Sequence, residues 1–222
     1  MYLPYPKSTE STVTKVHDLT DLTDVLNPVQ LLAAQGLPSR QAADAMIPVF
    51  FTECNWHYGI PEKWFYTAYS RMWRALDAGD AYMNSCEEQI NAHWLSLLFA
   101  VLAFTPPGVP GAESVSREAC FTHALSARRL AEDALLVSPS CSTGSSAAEG
   151  TVLGCFAVVL LSSYVAARGR VSEAWKLVGG AIRAGQAAGM HRDPGWAIWK
   201  DMCNDERVLR CRGWWSLVLW DQ

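Results

Sequence analysis

The sequence contains no Cys-x-x-Cys pair, although it has seven cysteines. Cys54, Cys86, Cys120, Cys141, Cys155, Cys203 and Cys211 never come closer than eight positions. Zinc fingers, zinc clusters and thioredoxin-type sites need closely paired thiolates, so none is encoded here. An odd count at wide spacing suits reduced, mostly buried thiols. A His-x-x-x-His pair is also missing, which removes local support for a helical metal site. We therefore expect no metal and no cofactor.

Positive charge is scarce. Eighteen Lys and Arg face 22 Asp and Glu, a net charge of −4. An autonomous DNA binder carries the opposite balance. The distribution is uneven: residues 166–212 hold nine basic against five acidic residues, and the first 165 hold nine against sixteen. An even polyanion-binding surface is excluded, and a local basic patch near the C-terminus is not. Long apolar runs are lacking too. Trp94–Phe104 and Val152–Ala167 are too short for a confident membrane span, and the second carries Ser162, Ser163 and Tyr164. The opening "MYLPYPKSTESTVTKVHDLTDLTD" is polar and acidic, with no apolar core of a signal peptide, and no Asn-x-Ser/Thr acceptor occurs. These absences lead us to expect an intracellular chain without a membrane contact. Strand signals are also few: there is no Asn-Gly hairpin and little strict alternation.

What is present is apolar and helical. Half of the 222 residues are hydrophobic and ten are Trp, enough for a sizeable core. Residues 1–40 read as a loosely ordered leader and residues 41–222 as one helical domain. "QAADAMIPVFFTECNWHYG" spaces Ala43, Met46, Ile47, Phe50, Phe51 and Cys54 as a helix does, with a break or kink expected at Pro48. "IPEKWFYTAYSRMWRAL" places Phe65, Ala68, Tyr69, Met72 and Trp73 on one face behind Pro61. Ala92–Phe104 is a third helix. A fourth begins near Ser114 or Ser116 and reaches Leu135, with Arg128 and Arg129 on its polar side. The Ser/Gly-rich run "SPSCSTGSSAAEG" reads as a flexible loop at 138–150. Thr151–Ala167 is apolar on nearly every side, as a central helix would be. After the "RGR" turn, Ser172 is the expected cap of a helix whose apolar face runs Trp175, Val178, Ile182, Gln186 and Gly189. The expected fold is all-α, built of helical hairpins.

The chemistry-bearing residues are sparse. "AWKLVGGAIRAGQAAGMHRDP" ends a helix at Gly189, where a left-handed residue is needed, and Pro194 forbids continuation. His191-Arg192-Asp193 is then a polar turn. A proton-transfer reading would enlist His191 and Asp193, with Glu206 as a third candidate, yet no nucleophile sits at a readable spacing. His17, His57, His93 and His123 are scattered singly. "STGSSAAEG" has no Lys for a phosphate loop and no Gly-x-Ser-x-Gly elbow. Arg207, Arg210 and Arg212 read as a solvated face pairing with Asp201, Asp205 or Glu206. Gly179, Gly180, Gly185 and Gly189 each cost helix stability, which close approach of another helix would justify. "ERVLRCRGWWSLVLWDQ" is apolar and has no stop signal. We expect a domain incomplete at its C-terminus, with Trp214, Trp215, Leu217, Val218 and Trp220 short of packing partners.

These two C-terminal segments together resemble the fungal-specific transcription factor domain, the middle homology region of fungal zinc-cluster regulators. The family pattern is a Trp-x-x-x-Gly-x-Ala-x-Arg helix ending in Gly-Leu-His-x-Asp. A Glu then leads to Arg-Arg-Arg, an apolar residue, Trp-Trp and Asp-Arg. Trp175, Gly179, Ala181, Arg183, Gly189, His191 and Asp193 match the first part; Glu206, Arg210, Arg212, Trp214, Trp215 and Asp221 match the second. "FFTECNWHYGIPEKWFYTAY" is similar to the family's opening segment and "HWLSLLFAVLA" to its next helix. Met190, Cys211, Gly213 and Gln222 depart from the pattern, and the six-cysteine zinc cluster is missing. The resemblance implies an all-α regulatory domain in the nucleus, acting on transcription of a secondary-metabolite gene cluster. It implies protein partners or a homodimer through apolar helices, DNA contact only indirectly or through the missing zinc cluster, and room for a small-molecule effector. No basic localisation run accompanies it. Two other readings stay open: a stand-alone helical domain performing an isomerase-type step on a metabolite, with His191, Asp193 and Glu206 as catalytic candidates, and an inactive truncated product.

Overall fold

The computed structural model describes residues 28–77, 90–137, 145–193, 195 and 202–222, with 134–137 and 145–150 described in backbone only. Among them are nine helices and no strand. The centre is set by the two helices with the longest buried runs. Helix α5 (Ala92–Phe104) is buried from Trp94 through Ala103. Asn91 caps it, its Oδ1 accepting from the His93 and Trp94 N–H groups. Helix α7 (Ser145–Ala166) is buried at every position from Cys155 to Val165. A helix apolar on all sides has no face to give to water, so these two pack on each other and the rest packs on them. The polar side chains caught inside are satisfied locally. Ser96 Oγ donates to the Ala124 carbonyl at 2.9 Å, and Ser162 and Ser163 donate back to Val159.

Around this pair lie α1 (Pro28–Gly36), α2 (Arg40–Glu53), the single turn α3 (Asn55–Tyr58), α4 (Glu62–Asp77), α6 (Arg117–Val137), α8 (Val171–Ala187) and α9 (Asn204–Trp220). Consecutive α5 and α6, and α7 and α8, pack on each other as helical hairpins do. Helix α4 joins through aromatics: Phe65 lies 4.9 Å from the Trp94 ring, and Trp94 Nε1 meets Met72 Sδ at 3.3 Å. No helix among the described residues is long and apolar enough to cross a membrane.

Several boundaries differ from expectation. Helical structure is present inside the expected leader: α1 buries Ala33 and packs on α6, and Ser39 caps α2 by accepting from Ala42 N–H; residues 1–27 lie outside the described residues. Helix α2 runs unbroken past Pro48 to Glu53. Proline removes only the bond to the Asp44 carbonyl, and the apolar face of Ala43, Met46, Ile47 and Phe50 is buried on both sides of it. Of the expected loop 138–150, residues 138–144 lie outside the described residues, whereas 145–150 form the first turns of α7. Ala147, Ala148 and Glu149 are good helix formers and override the Ser/Gly composition. Helix α6 starts at Arg117, where Ser116 Oγ accepts from Ala119 N–H, as one of the two expected caps.

Candidate functional site

The Gly189–Asp193 turn follows the end of α8. Helix α8 lays Ala174, Val178, Ala181 and Gly185 on the body of the protein. This small-residue stripe is rotated from the expected face, so Trp175 is 67% exposed. Ser172 is not the cap either. Gly169, with φ +77°, turns the chain after α7, and the Arg170 carbonyl starts α8 while its guanidinium pairs with Glu173.

The helix ends as its glycine predicts. Gly189 has φ +71°; its N–H donates to the Gln186 carbonyl at 3.0 Å, and Met190 N–H donates to Gly185 at 2.8 Å. These are the two bonds of a Schellman motif. Met190 folds inward and is 4% exposed, with its sulfur 3.8 Å from Cys155 Sγ. A Cβ on Gly185 would stand 3.4 Å from the Trp214 ring and 3.5 Å from Met190 Sδ. Helix α9 therefore crosses α8 where the latter has no side chain.

Helix α9 supplies the other half of the joint. Arg210 is buried rather than part of a solvated face, and its guanidinium donates to the Gly189 carbonyl. That carbonyl also accepts from Arg192 N–H at 3.0 Å, so the cation takes its second lone pair and ties the turn to α9. Leu209, Gly213 and Leu217 face inward. Leu217 is fully buried and Trp214 and Trp220 pack on the core, so these three have the partners that the sequence left in doubt; Trp215 remains 60% exposed. Trp220 stacks on Tyr58 and meets His57 edge-on at 5.8 Å, while Arg212 reaches the Gly59 carbonyl. Segments 54–60 and 204–220 thus meet in space.

The three ionisable candidates occupy the surface of this joint. His191 is exposed and tilts over Trp214 at 6.0 Å. Asp193 accepts from Gly195 N–H at 2.7 Å, a local Asx-type turn. Glu206 accepts from Cys203 N–H at 3.1 Å in a capping box whose other half is the Cys203 side chain. Both carboxylates are committed to backbone donors of their own turns.

Two half-buried histidines carry signals that their sequence context hid. His93 packs against Gly154, and burial pushes its pKa down to about 4; Glu132 opposes that shift and Arg128 adds to it. Arg128, expected on a polar face, is largely covered and pairs with Glu132 at 2.9 Å. His123 lies 5.2 Å from the Phe99 ring, and its Nδ1 is buried without a hydrogen-bond partner. The thiols behave as expected for a core only in part. Cys120 and Cys155 are buried, their pKa values raised by desolvation to about 11 and about 12, whereas Cys203 is exposed. Cys86 and Cys141 lie outside the described residues. No group of three potential metal-ligating side chains occurs among the described residues. No family model, no curated protein and no solved structure matches the chain.

Proposed function

We propose that the chain is a transcription-factor-type regulator, acting in the nucleus on a fungal secondary-metabolite gene cluster. The supporting observation is the α8–α9 joint. The residues that carry the resemblance are used there for helix exit, capping and packing: Gly189 as the left-handed residue, Arg210 as donor to its carbonyl, Glu206 as cap. A scaffold that holds two helices in fixed relation needs those residues; a proton-transfer site needs His191 and a carboxylate free to meet a substrate. Sequence-specific DNA contact belongs to a partner or to a zinc cluster, since the described surface offers no thiolate cluster and the chain is acidic overall.

Deletion of the gene followed by transcript profiling tests this reading. Coordinated loss of transcripts from a neighbouring biosynthetic cluster, restored by the wild-type gene and by His191→Ala, is the expected result. Unchanged transcripts, with accumulation of a pathway intermediate that the purified protein converts, would establish the isomerase-type alternative. Loss of conversion in His191→Ala would then assign the histidine to it.

A further inference from the structure

An open groove of about 410 Å³ runs between α1 and α6, away from the α8–α9 joint. Ligand clefts commonly span roughly 300–1,000 Å³. One part of its wall is apolar: Pro28, Leu31, Leu32 and Leu130. The other part is polar and one-sided: Gln35, His123, Ser126 and Arg129 contribute, and no Asp or Glu lines it.

His123 gives this wall its direction. Its Nδ1 faces Gly36 and the Phe99 ring; a Cβ on Gly36 would stand 3.1 Å from both. That nitrogen is buried and has no partner. A bare lone pair there is tolerated better than an orphaned N–H, so the neutral ring carries its proton on Nε2. His123 lines the groove, and Nε2–H is then the donor it can offer there. Arg129, six residues further along α6, is an exposed cation that enters no ion pair among the described residues. An imidazole N–H and a guanidinium from α6, in one groove with Leu31 and Leu32 of α1, match an acceptor-only anion with an apolar body.

We propose that the α1–α6 groove binds an amphipathic monocarboxylate, its carboxylate held by Arg129 and His123 Nε2–H and its hydrocarbon lying on Leu31, Leu32 and Leu130. Gly36 is the feature that brings α1 close enough to α6 to orient the histidine. This site is independent of the regulatory reading and stands or falls on binding alone.

Titration of the full chain with decanoate, decan-1-ol and decyltrimethylammonium, followed calorimetrically below their critical micelle concentrations, tests it. Saturable 1:1 binding of decanoate is expected, with the alcohol and the cation at least about tenfold weaker, the scale of one charge-assisted hydrogen bond. Arg129→Gln should weaken decanoate at least about tenfold and leave the alcohol unchanged. Leu32→Trp, which fills the groove, should weaken all three. Thermal unfolding of Arg129→Gln should match the wild type because the side chain is exposed. Absence of saturable decanoate binding would overturn the proposal, as would equal affinity for decanoate and the alcohol or wild-type affinity in Arg129→Gln.

Discussion

Met190 and His191 are neighbours in one turn, and truncating each to alanine should have opposite consequences. Met190 is 4% exposed and lies against Cys155, Gly185 and Gly213. Removing a buried Met typically costs about 2–5 kcal/mol, depending on how far the surroundings collapse into the space. Two of its neighbours are glycines, which have no side chain to swing inward. Closing the void therefore requires backbone movement of α8 or α9, and the cost belongs above the low end of the range, at about 3–4 kcal/mol. For a chain of this size each kcal/mol lowers Tm by about 2–4 °C, so Met190→Ala should fall by about 6–16 °C. His191→Ala removes an exposed ring that tilts over Trp214, and should cost less than about 1 kcal/mol. Urea unfolding with Met190→Leu as a near-isosteric control, expected within about 1.5 kcal/mol of wild type, measures the pair. Equal losses in the two alanine variants, or a Met190→Ala loss under about 1 kcal/mol, would refute this account of the turn.

The glycines in and just after α8 should divide. Gly179→Ala should stabilise by up to about 1 kcal/mol, because a Cβ there meets only the end of the Arg183 side chain at 3.8 Å, whereas Gly189→Ala should destabilise by about 1–2 kcal/mol through its φ of +71°; chemical denaturation reads both. His93 stays neutral in the folded state down to about pH 4, while the unfolded chain protonates it near pH 6.5, so its contribution is intact above pH 6.5 and is lost as pH falls toward 4. The stability difference between pH 7 and pH 5 should shrink by about 2 kcal/mol in His93→Gln, and an unchanged difference would remove the histidine explanation. Among the five cysteines of the described residues, Cys203 should react first with a thiol reagent in native protein, and Cys120 and Cys155 only on unfolding, since desolvation holds the last two as thiols; mass mapping of early adducts checks the order.

Helix α5 was legible to the residue because its thirteen positions carry no charge and sit between a capping asparagine and "TPPGVPG". The buried face of α8 was not. Hydrophobic periodicity weights large residues, so Trp175 was read as the start of the apolar stripe. The packed stripe is Ala174, Val178, Ala181 and Gly185, which shares Val178 with the expected face but is centred about 70° from it. Close helix approach selects small side chains, and the tryptophan is displaced to water. The same limit applies to glycine. Gly179 and Gly180 were expected at a close helix crossing, yet only guanidinium ends lie near them; Gly185, under Trp214, is where the approach occurs. Arg210 was unreadable for a different reason. An arginine between Leu209 and Cys211 has the sequence context of a surface residue, and its partner is a backbone carbonyl 21 residues earlier that exists only once Gly189 has turned the chain. His123 likewise looked like an isolated histidine, because the residues that orient it, Gly36 and Phe99, are far apart in the chain.

Met190 and Gly213, far apart in the sequence, meet in space, and together they argue for what the joint requires. Met190 Cε lies 3.5 Å from where a Gly213 Cβ would stand, with Phe156 and Val152 at 3.4 Å. The longer, unbranched methionine thus reaches the space that a side chain at 213 would fill. Methionine suits this use because its three rotatable bonds let it fit an irregular gap. A leucine at 190 would stop short of α9, and a large residue at 213 would collide with Phe156 and Val152 while Met190 remained. The volume between α7, α8 and α9 is thus filled from position 190 rather than from position 213. Close packing, and not a free reacting group, is what this part of the joint displays.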